Sequence, residues 1–390
     1  MVSRGERPAQ GRVIVFGVMF DLPFAGIVVQ FLQYLIGLRR LGWDVWYVED
    51  SRAWPYDPAR RDAARDAATS VRTVAPILDR HGFADRWVYR SAFAGTQVLG
   101  AGEVVLHELY RTADVALNVT GAQEMREEHM AIPLRVYVQS DPFAVQVDAA
   151  SGDPEARAQL AAHHRHFSFG ELVGTPGCLV PDAGYAWEPT RQPVVLDLWR
   201  GGELGSAYTT ITTWHNATKD RQWQGERYFW TKDREFLALL ELPSRTRARL
   251  ELAVDGTPPA ALLTRHGWHL VAAPELLVDT AAYCGYIIRS RGELTVARDQ
   301  YVRPRTGWFS DRSACYLAAG KPVVTQDTGF GCVLPTGEGL FAFTDVGGAA
   351  AALESVEADY PRHAAAARAV AEEYFAAEHV LTALLSRAGA

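Results

Sequence analysis

Lysine is nearly absent. The 390 residues contain three, Lys219, Lys232 and Lys321, so that 36 of the 39 basic residues are arginine. The bias belongs to genome composition, yet it makes each remaining lysine a position to inspect. Excess positive charge is also missing: the net charge is −7, no basic footprint marks a nucleic-acid surface, and that partner is not expected. Cysteine is scarce. Cys178, Cys284, Cys315 and Cys332 form no Cys-x-x-Cys pair, and their spacings fit no zinc framework. Four free thiols suit a reducing compartment, and a cytoplasmic protein is expected. Uninterrupted apolar runs of membrane length are lacking too. Val13 to Leu38 carries one charge, Asp21, but Pro23 and Gly26 break it, so a buried strand and a buried helix are expected there instead of a membrane span.

What is present is aromatic and apolar. Eleven Trp, 15 Tyr and 16 Phe within a 48% hydrophobic chain exclude a disordered one. At roughly 150 residues per domain, the length suggests two cores. Residues 13–18 read as a buried strand, Ile27 to Leu41 as a helix ended by Gly42, and Val45 to Val48 as a second strand, which together make a βαβ unit. A helix is predicted over Pro58 to Arg80, with strands at Val115 to Val119 and Arg135 to Gln139. After the Pro-rich stretch Pro181 to Pro193, alternation resumes. Strands are predicted at Ala207 to Thr213, near Ala248 to Val254, near Trp268 to Val271 and at Val323-Val324, and helices at Asp233 to Leu240 and near Thr280 to Ile288. The tail beyond Gly347 reads as helical, with a last helix over Ala364 to Ala388. Two α/β halves with a ligand cleft between them follow from this layout.

A dinucleotide-binding dehydrogenase is the first candidate for such a layout. It needs Gly-x-Gly-x-x-Gly after the first strand, and Gly17 and Gly26 have the wrong spacing. Glu49 and Asp50, at the end of the second strand, are then better read as a strand-end cap than as ribose ligands.

The densest chemistry lies in Gly307-Trp308-Phe309-Ser310-Asp311-Arg312-Ser313, followed by Cys315, Ala318, Gly320, Pro322, Val323 and Val324. Ser310 or Asp311 can cap a helix that ends at Gly320. A helix start with backbone N–H groups, the hydroxyls of Ser310 and Ser313, and Arg312 suits a diphosphate; an ordinary capped helix explains it as well. This stretch resembles the nucleotide-sugar-binding part of glycosyltransferases with the GT-B fold, whose pattern Ser-x-Arg-x-x-Glu-x-x-Ala-x-Gly-x-Pro-Val-Val it matches except that the Glu is Cys315. The resemblance implies an α/β fold of two facing Rossmann-like domains. Residues 1–190 would bind the acceptor, 191–368 would bind the donor, and 369–390 would be a helix crossing back to the first domain.

The same resemblance implies a site. Ser290 and Glu293 are similar to a Ser-x-x-Glu turn that precedes the donor helix, and Gln326, Asp327, Gly329 and Phe330 stand where the family grips the sugar. Thr213 and Trp214 end the domain's first strand, and Lys232 opens a helix near the donor phosphates; Trp308 belongs to the same constellation. With Cys315 in place of Glu, ribose binding shifts to Asp311 or Glu293. Metal-dependent transferases use an Asp-x-Asp after a strand, and none occurs here. His163, His164 and His166 do not share a helix face, so no metal site and no cofactor beyond the nucleotide-diphosphate sugar are expected.

An acceptor hydroxyl needs a general base in an inverting reaction. Asp21 stands in apolar company, Asp141 follows a buried strand, and Glu171 follows Phe167 to Gly170; all three are candidates. Phe20, Phe24, Trp187, Trp199 and Trp214 are candidates for stacking on a sugar or acceptor. The expectation is a metal-independent transferase acting on a small-molecule acceptor, of the kind found in bacterial natural-product biosynthesis, with a homodimer compatible. Its rivals are a sugar-nucleotide epimerase and a binding module without catalysis.

Overall fold

The computed structural model describes residues 10–51, 53–64, 66–90 and 98–390. They form two compact units, and the chain passes between them more than once. The first unit takes the chain up to Gln139, with Ala158–Phe167 and Ala377–Ala390; the second takes Ser140–Arg157 and Ser168–Ala376. This partition differs from a single cut near residue 190, because Ser140–Arg157 and the residues from Ser168 onward pack with the second unit.

In the first unit the strands are β1 (Arg12–Phe16), β2 (Asp44–Glu49), β3 (Trp87–Arg90), β4 (Val98–Gly100), β5 (Val115–Val119), β6 (Leu134–Gln139) and β7 (Arg165–Ser168). Their order across the sheet is β7-β6-β5-β1-β2-β3-β4. β1 pairs in parallel with β2 and β5, β2 with β3, and β5 with β6, while β4 runs antiparallel to its neighbour β3. A central strand flanked on both sides and covered on both faces must be apolar throughout, and Val13, Ile14, Val15 and Phe16 are each fully buried. The helix α1 (Ala25–Arg40) follows β1 and ends on Arg39 and Arg40, cations suited to a helix C-terminus. The helix predicted over Pro58 to Arg80 is shorter. It starts at Ala68, because Tyr56–Asp57 and Asp62–Ala63 pair as a small antiparallel ribbon.

The second unit has β8 (Ala207–Thr213), β9 (Arg249–Asp255), β10 (His269–Ala272), β11 (Gly292–Thr295), β12 (Val323–Gln326) and β13 (Leu340–Phe343). They lie in the order β10-β9-β8-β11-β12-β13, and every pair is parallel. Counted along the unit this is 3-2-1-4-5-6, the doubly wound order in which the chain reverses direction across the sheet between β8 and β11. The helices α2 (Asp233–Ala238), α3 (Thr280–Arg289) and α4 (Asp311–Ala318) connect strands of this sheet.

The tail holds three helices, α5 (Val346–Ala358), α6 (Tyr360–Tyr374) and α7 (Ala377–Ala388). The predicted last helix is interrupted at Phe375-Ala376, where the Val194 N–H donates to the Phe375 carbonyl at 2.7 Å. Phe375 is buried, with its ring 5.4 Å from that of Phe309. No Pro or Gly announces this break, so the periodicity runs through it.

α7 packs on α1 within the first unit, and Gly37 permits the approach: a Cβ there would lie 2.6 Å from Leu381 Cδ1 and 3.0 Å from Ala377 Cβ. The Leu381 methyl is a movable tip, so Gly37→Ala should be nearly neutral, its clash offset by roughly 1 kcal/mol of helix propensity. Gly37→Leu cannot be absorbed and should cost about 1–3 kcal/mol by overpacking. Paired thermal melts check this, and equal melting of both variants would disprove the close contact.

Candidate functional site

At the reversal point between β8 and β11, one side chain ties the two strands together. Arg312, on the first turn of α4, donates from Nε to Glu293 Oε1 at 2.7 Å, from one terminal nitrogen to the Ile211 carbonyl at 2.7 Å, and from the other to Thr295 Oγ1 at 3.0 Å. Burial works against its charge, but the Glu293 carboxylate outweighs that, and the guanidinium is held more firmly protonated than usual. The start of α4 is thereby fixed over the carboxyl ends of β8 and β11, where open α/β sheets bind ligands. Ser310 occupies the capping position without a side-chain hydrogen bond to the helix, leaving backbone N–H groups of the first turn uncapped by a side chain.

Lys232 is the second cation. It stands at the N-cap of α2, where the helix dipole disfavours positive charge. It is 8% exposed, and among the described residues its ammonium has no hydrogen-bond or ion-pair partner. Burial, then the charges of Arg312 and Arg298, lower its proton affinity well below that of an ordinary lysine; Glu293 and Asp311 oppose them more weakly. Arg298 completes the group. Its guanidinium lies 3.6 Å over the Trp230 ring, donates to the Trp230 carbonyl at 3.0 Å and to Tyr301 Oη at 3.2 Å, and comes 3.6 Å from Asp141. Three cations thus converge beside a helix N-terminus, with the partly buried Asp311 near them and its proton affinity raised by desolvation. Such an arrangement favours a compact anion of two or more charges.

Around this cluster the structure brings several sequence-predicted residues together. Asp141 belongs to the same unit and accepts a hydrogen bond from Tyr301 Oη. Trp308 donates from its indole to the Ser140 carbonyl at 2.8 Å, and its ring lies 4.4 Å from that of Tyr301. Gly307 has φ +72°, and a Cβ there would come 3.0 Å from the Leu172 backbone nitrogen, so glycine is required at this turn. Gln326 is a strut: its Oε1 accepts from the Ala297 N–H at 3.1 Å and its Nε2 donates to Glu235 at 2.7 Å. Asp327 accepts from the Gly329 N–H at 2.7 Å, which shapes the turn leading to the buried Phe330.

Other predicted residues serve different ends. Ser290 precedes the amino end of β11, away from the carboxyl ends at the reversal point, and its hydroxyl donates to the Ile287 carbonyl at 2.7 Å. Glu293 is fully buried beneath Arg312 and positions that side chain; it is not placed as a ribose ligand. Trp214 packs in the core beside Phe236, and Phe20 and Trp199 are equally buried, so none of the three is a stacking platform. Thr213 ends β8 exposed, and Ser313 is fully buried. Cys315 is buried on α4. Glu171 is paired with Arg191. The histidines have internal partners: His163 contacts the Gln159 carbonyl at 2.7 Å and Asn118 at 3.1 Å, and His166 contacts the Leu160 carbonyl at 2.8 Å.

The first unit carries its own buried carboxylates, at the carboxyl ends of β1 and β2. Glu49 accepts from the Phe20 N–H at 2.7 Å, from the Asp21 N–H, and from Tyr47 Oη at 2.6 Å. It therefore clamps the loop that presents Asp21. The Asp21 carboxylate accepts from Tyr89 Oη at 2.8 Å and from Ser51 Oγ. Burial raises the proton affinity of Asp21 despite these donors, and burial with the neighbouring Asp21 charge raises that of Glu49 much further. Asp50, Glu128 and His129 place possible metal-ligating atoms within 4.8 Å of one another. Yet Arg90 and Tyr110 already bond Asp50, at 2.6 to 2.8 Å, Arg126 bonds it too, and a dication would meet two fixed guanidiniums. The group is a buried ion cluster that secures the end of β2.

Sequence reasoning missed Arg298 and Tyr301. Their signal was chemical: an Arg three residues ahead of a Tyr, just past a buried strand.

No family model matches the sequence, and no curated protein does. Among solved structures, the chain is similar over 97% of its length to 97% of AviGT4, a glycosyltransferase involved in avilamycin A biosynthesis, with 12% identity and a TM-score of 0.54. It is similar over 98% of its length to all (100%) of an alpha-glucosyltransferase in complex with UDP and a 13-mer DNA, with 10% identity and a TM-score of 0.54. It is also similar over 97% to all (100%) of HepE from Anabaena in complex with UDP and glucose, with 11% identity and a TM-score of 0.53. The fold is that of GT-B glycosyltransferases. One expectation is overturned. A protein of this fold is solved with DNA, so the net charge of −7 does not exclude a nucleic-acid partner; total charge says nothing about how 36 arginines are distributed over a surface.

Proposed function

We propose that the chain is a glycosyltransferase that takes a sugar from a nucleotide-diphosphate sugar held in its second unit, without a metal ion in the donor site. The observation that carries this is the buried residue Lys232, whose ammonium has no hydrogen-bond or ion-pair partner among the described residues, beside Arg298, Arg312 and the N-terminus of α4. A diphosphate supplies the charge this group lacks, and the same fixed cations stabilise it as it leaves with the electron pair of the broken glycosidic bond. UDP is the nucleotide named with two of the similar structures, which makes it the first to test. The involvement of AviGT4 in avilamycin A biosynthesis supports a secondary metabolite as acceptor. Melting the protein with UDP, GDP and TDP sugars in the presence of EDTA tests the donor site: a ligand at about 100 times its Kd adds roughly 2.7 kcal/mol. No shift with any of them would reject it.

Asp21 is the proposed base. Asp141 is bonded by Tyr301 and lies against Arg298, and Glu171 is paired with Arg191, so each of these carboxylates is engaged by a cation. The carboxylate of Asp21 is instead made more basic by burial. Asp21→Asn should lower kcat about 10²- to 10⁴-fold and leave UDP affinity unchanged; retention of kcat would remove Asp21 from this role. A binding module without transfer is favoured by one observation, the buried Cys315 where the resembled pattern has Glu. Binding of a sugar nucleotide with no transfer to any acceptor, and no slow hydrolysis, would support that second reading.

A further inference from the structure

We infer that the diphosphate of a sugar nucleotide enters this site together with a proton, which the Lys232 amine takes up. The inference rests on the proposed donor site and specifies its protonation before and after binding.

The groups facing Lys232 come from three other elements. Arg312 and Asp311 lie on α4, Glu293 lies on β11, and Arg298 lies in the segment after β11. On α2 itself, Asp233 is engaged by Thr231 and His215, and Glu235 by Gln326. Glu293 is committed through Oε1 to Arg312, and its Oε2 is buried without a partner. Asp311 has a raised proton affinity. A guanidinium does not deprotonate in proteins, so Lys232 is the one cation of the three able to relieve their crowding by losing a proton. Low exposure, two guanidinium neighbours and no bonded counter-ion all favour the neutral amine in the empty site. Two phosphate charges reverse that balance and favour the ammonium. Binding and protonation are then linked. Between the proton affinities of the empty and filled site, each donor molecule carries in up to one proton. Affinity falls as pH rises through that window, by up to about tenfold per pH unit.

The scarcity of lysine makes the test direct. A protein labelled with ¹³Cε-lysine gives three signals, and Lys219→Arg and Lys321→Arg identify the one from Lys232. Titrated up to the pH at which an ordinary lysine loses its proton, the free protein should show that signal changing well below that point, and saturating UDP-glucose should hold it at the charged position. Calorimetry at pH 8 in HEPES and in Tris, whose ionisation heats differ, should give different apparent binding heats, because UDP-glucose has no titrating group there. The difference should vanish in Lys232→Arg, whose charge is permanent. A Lys232 signal that stays charged across the range in the free protein overturns the proposal and leaves the donor site standing. So does binding heat that is independent of buffer. Failure of the unmodified protein to bind UDP-, GDP- or TDP-glucose at all overturns the donor site itself.

Discussion

Lys232→Met should make the protein harder to melt and poorer at binding its donor. The two effects have one cause. Lys232 is 8% exposed, its ammonium has no partner among the described residues, and two guanidiniums face it. Burying such a group, charged or deprotonated, costs roughly 1–3 kcal/mol or more, and a methionine of similar length keeps the packing while removing the unpartnered nitrogen. The unliganded fold should gain stability of that order, read as a melting rise of about 2–4 °C per kcal/mol. Donor binding should move the other way. A hydrogen bond to a charged partner contributes about 1.5–3 kcal/mol, so UDP should bind about 10- to 100-fold more weakly. A lysine that merely packs predicts the opposite pair, with lower melting temperature and unchanged UDP affinity. Only a side chain kept for an absent anion trades stability for binding in this direction.

Residue spacing showed a good part of this architecture, for identifiable reasons. β8 is predicted at Ala207 to Thr213 and observed there, because a parallel strand buried on both faces is a continuous apolar and β-branched run. The start of α4 is legible because a glycine turn at Gly307 precedes it and Ser310 and Asp311 punctuate it. What escapes periodicity is long-range pairing. Glu293 and Arg312 are 19 positions apart, and the geometry that makes one the support of the other exists only once β11 and α4 are docked. The same holds for the assignment of Ser140–Arg157 to the second unit, where Arg221 pairs with Asp148 across 73 positions. The ribbon at Tyr56–Asp57 and Asp62–Ala63 was hidden for another reason: the Ala- and Arg-rich sequence around it has helical propensity that the pairing overrides. Lys232 was visible only through rarity, and its isolation from counter-ions had to come from the fold.

Arg312→Ala should damage the fold more than any other single change at this site, which alters how its loss of activity must be read. The guanidinium spends three of its N–H groups on Glu293, Ile211 and Thr295, joining β8 to β11. Removing it leaves the Glu293 carboxylate fully buried with no cation bonded to it, since Oε2 is already without a partner. Breaking a buried pair from one side costs about 3–5 kcal/mol, a shift of the order of 10 °C at roughly 2–4 °C per kcal/mol. Loss of transfer in that variant would therefore not identify Arg312 as a phosphate ligand. The double variant Arg312→Leu with Glu293→Gln separates the roles, because neither charge is then stranded. It should recover most of the lost melting temperature. If UDP affinity returns with it, Arg312 is the brace that holds α4 over the reversal point, and Lys232 and Arg298 carry the donor charge. If stability returns and UDP affinity does not, the guanidinium itself contributes to the anion site through its remaining N–H groups. Equal melting of Arg312→Ala and the double variant would show that the Glu293 charge is relieved by another route, most simply by protonation, and the buried pair would then not be what fixes α4.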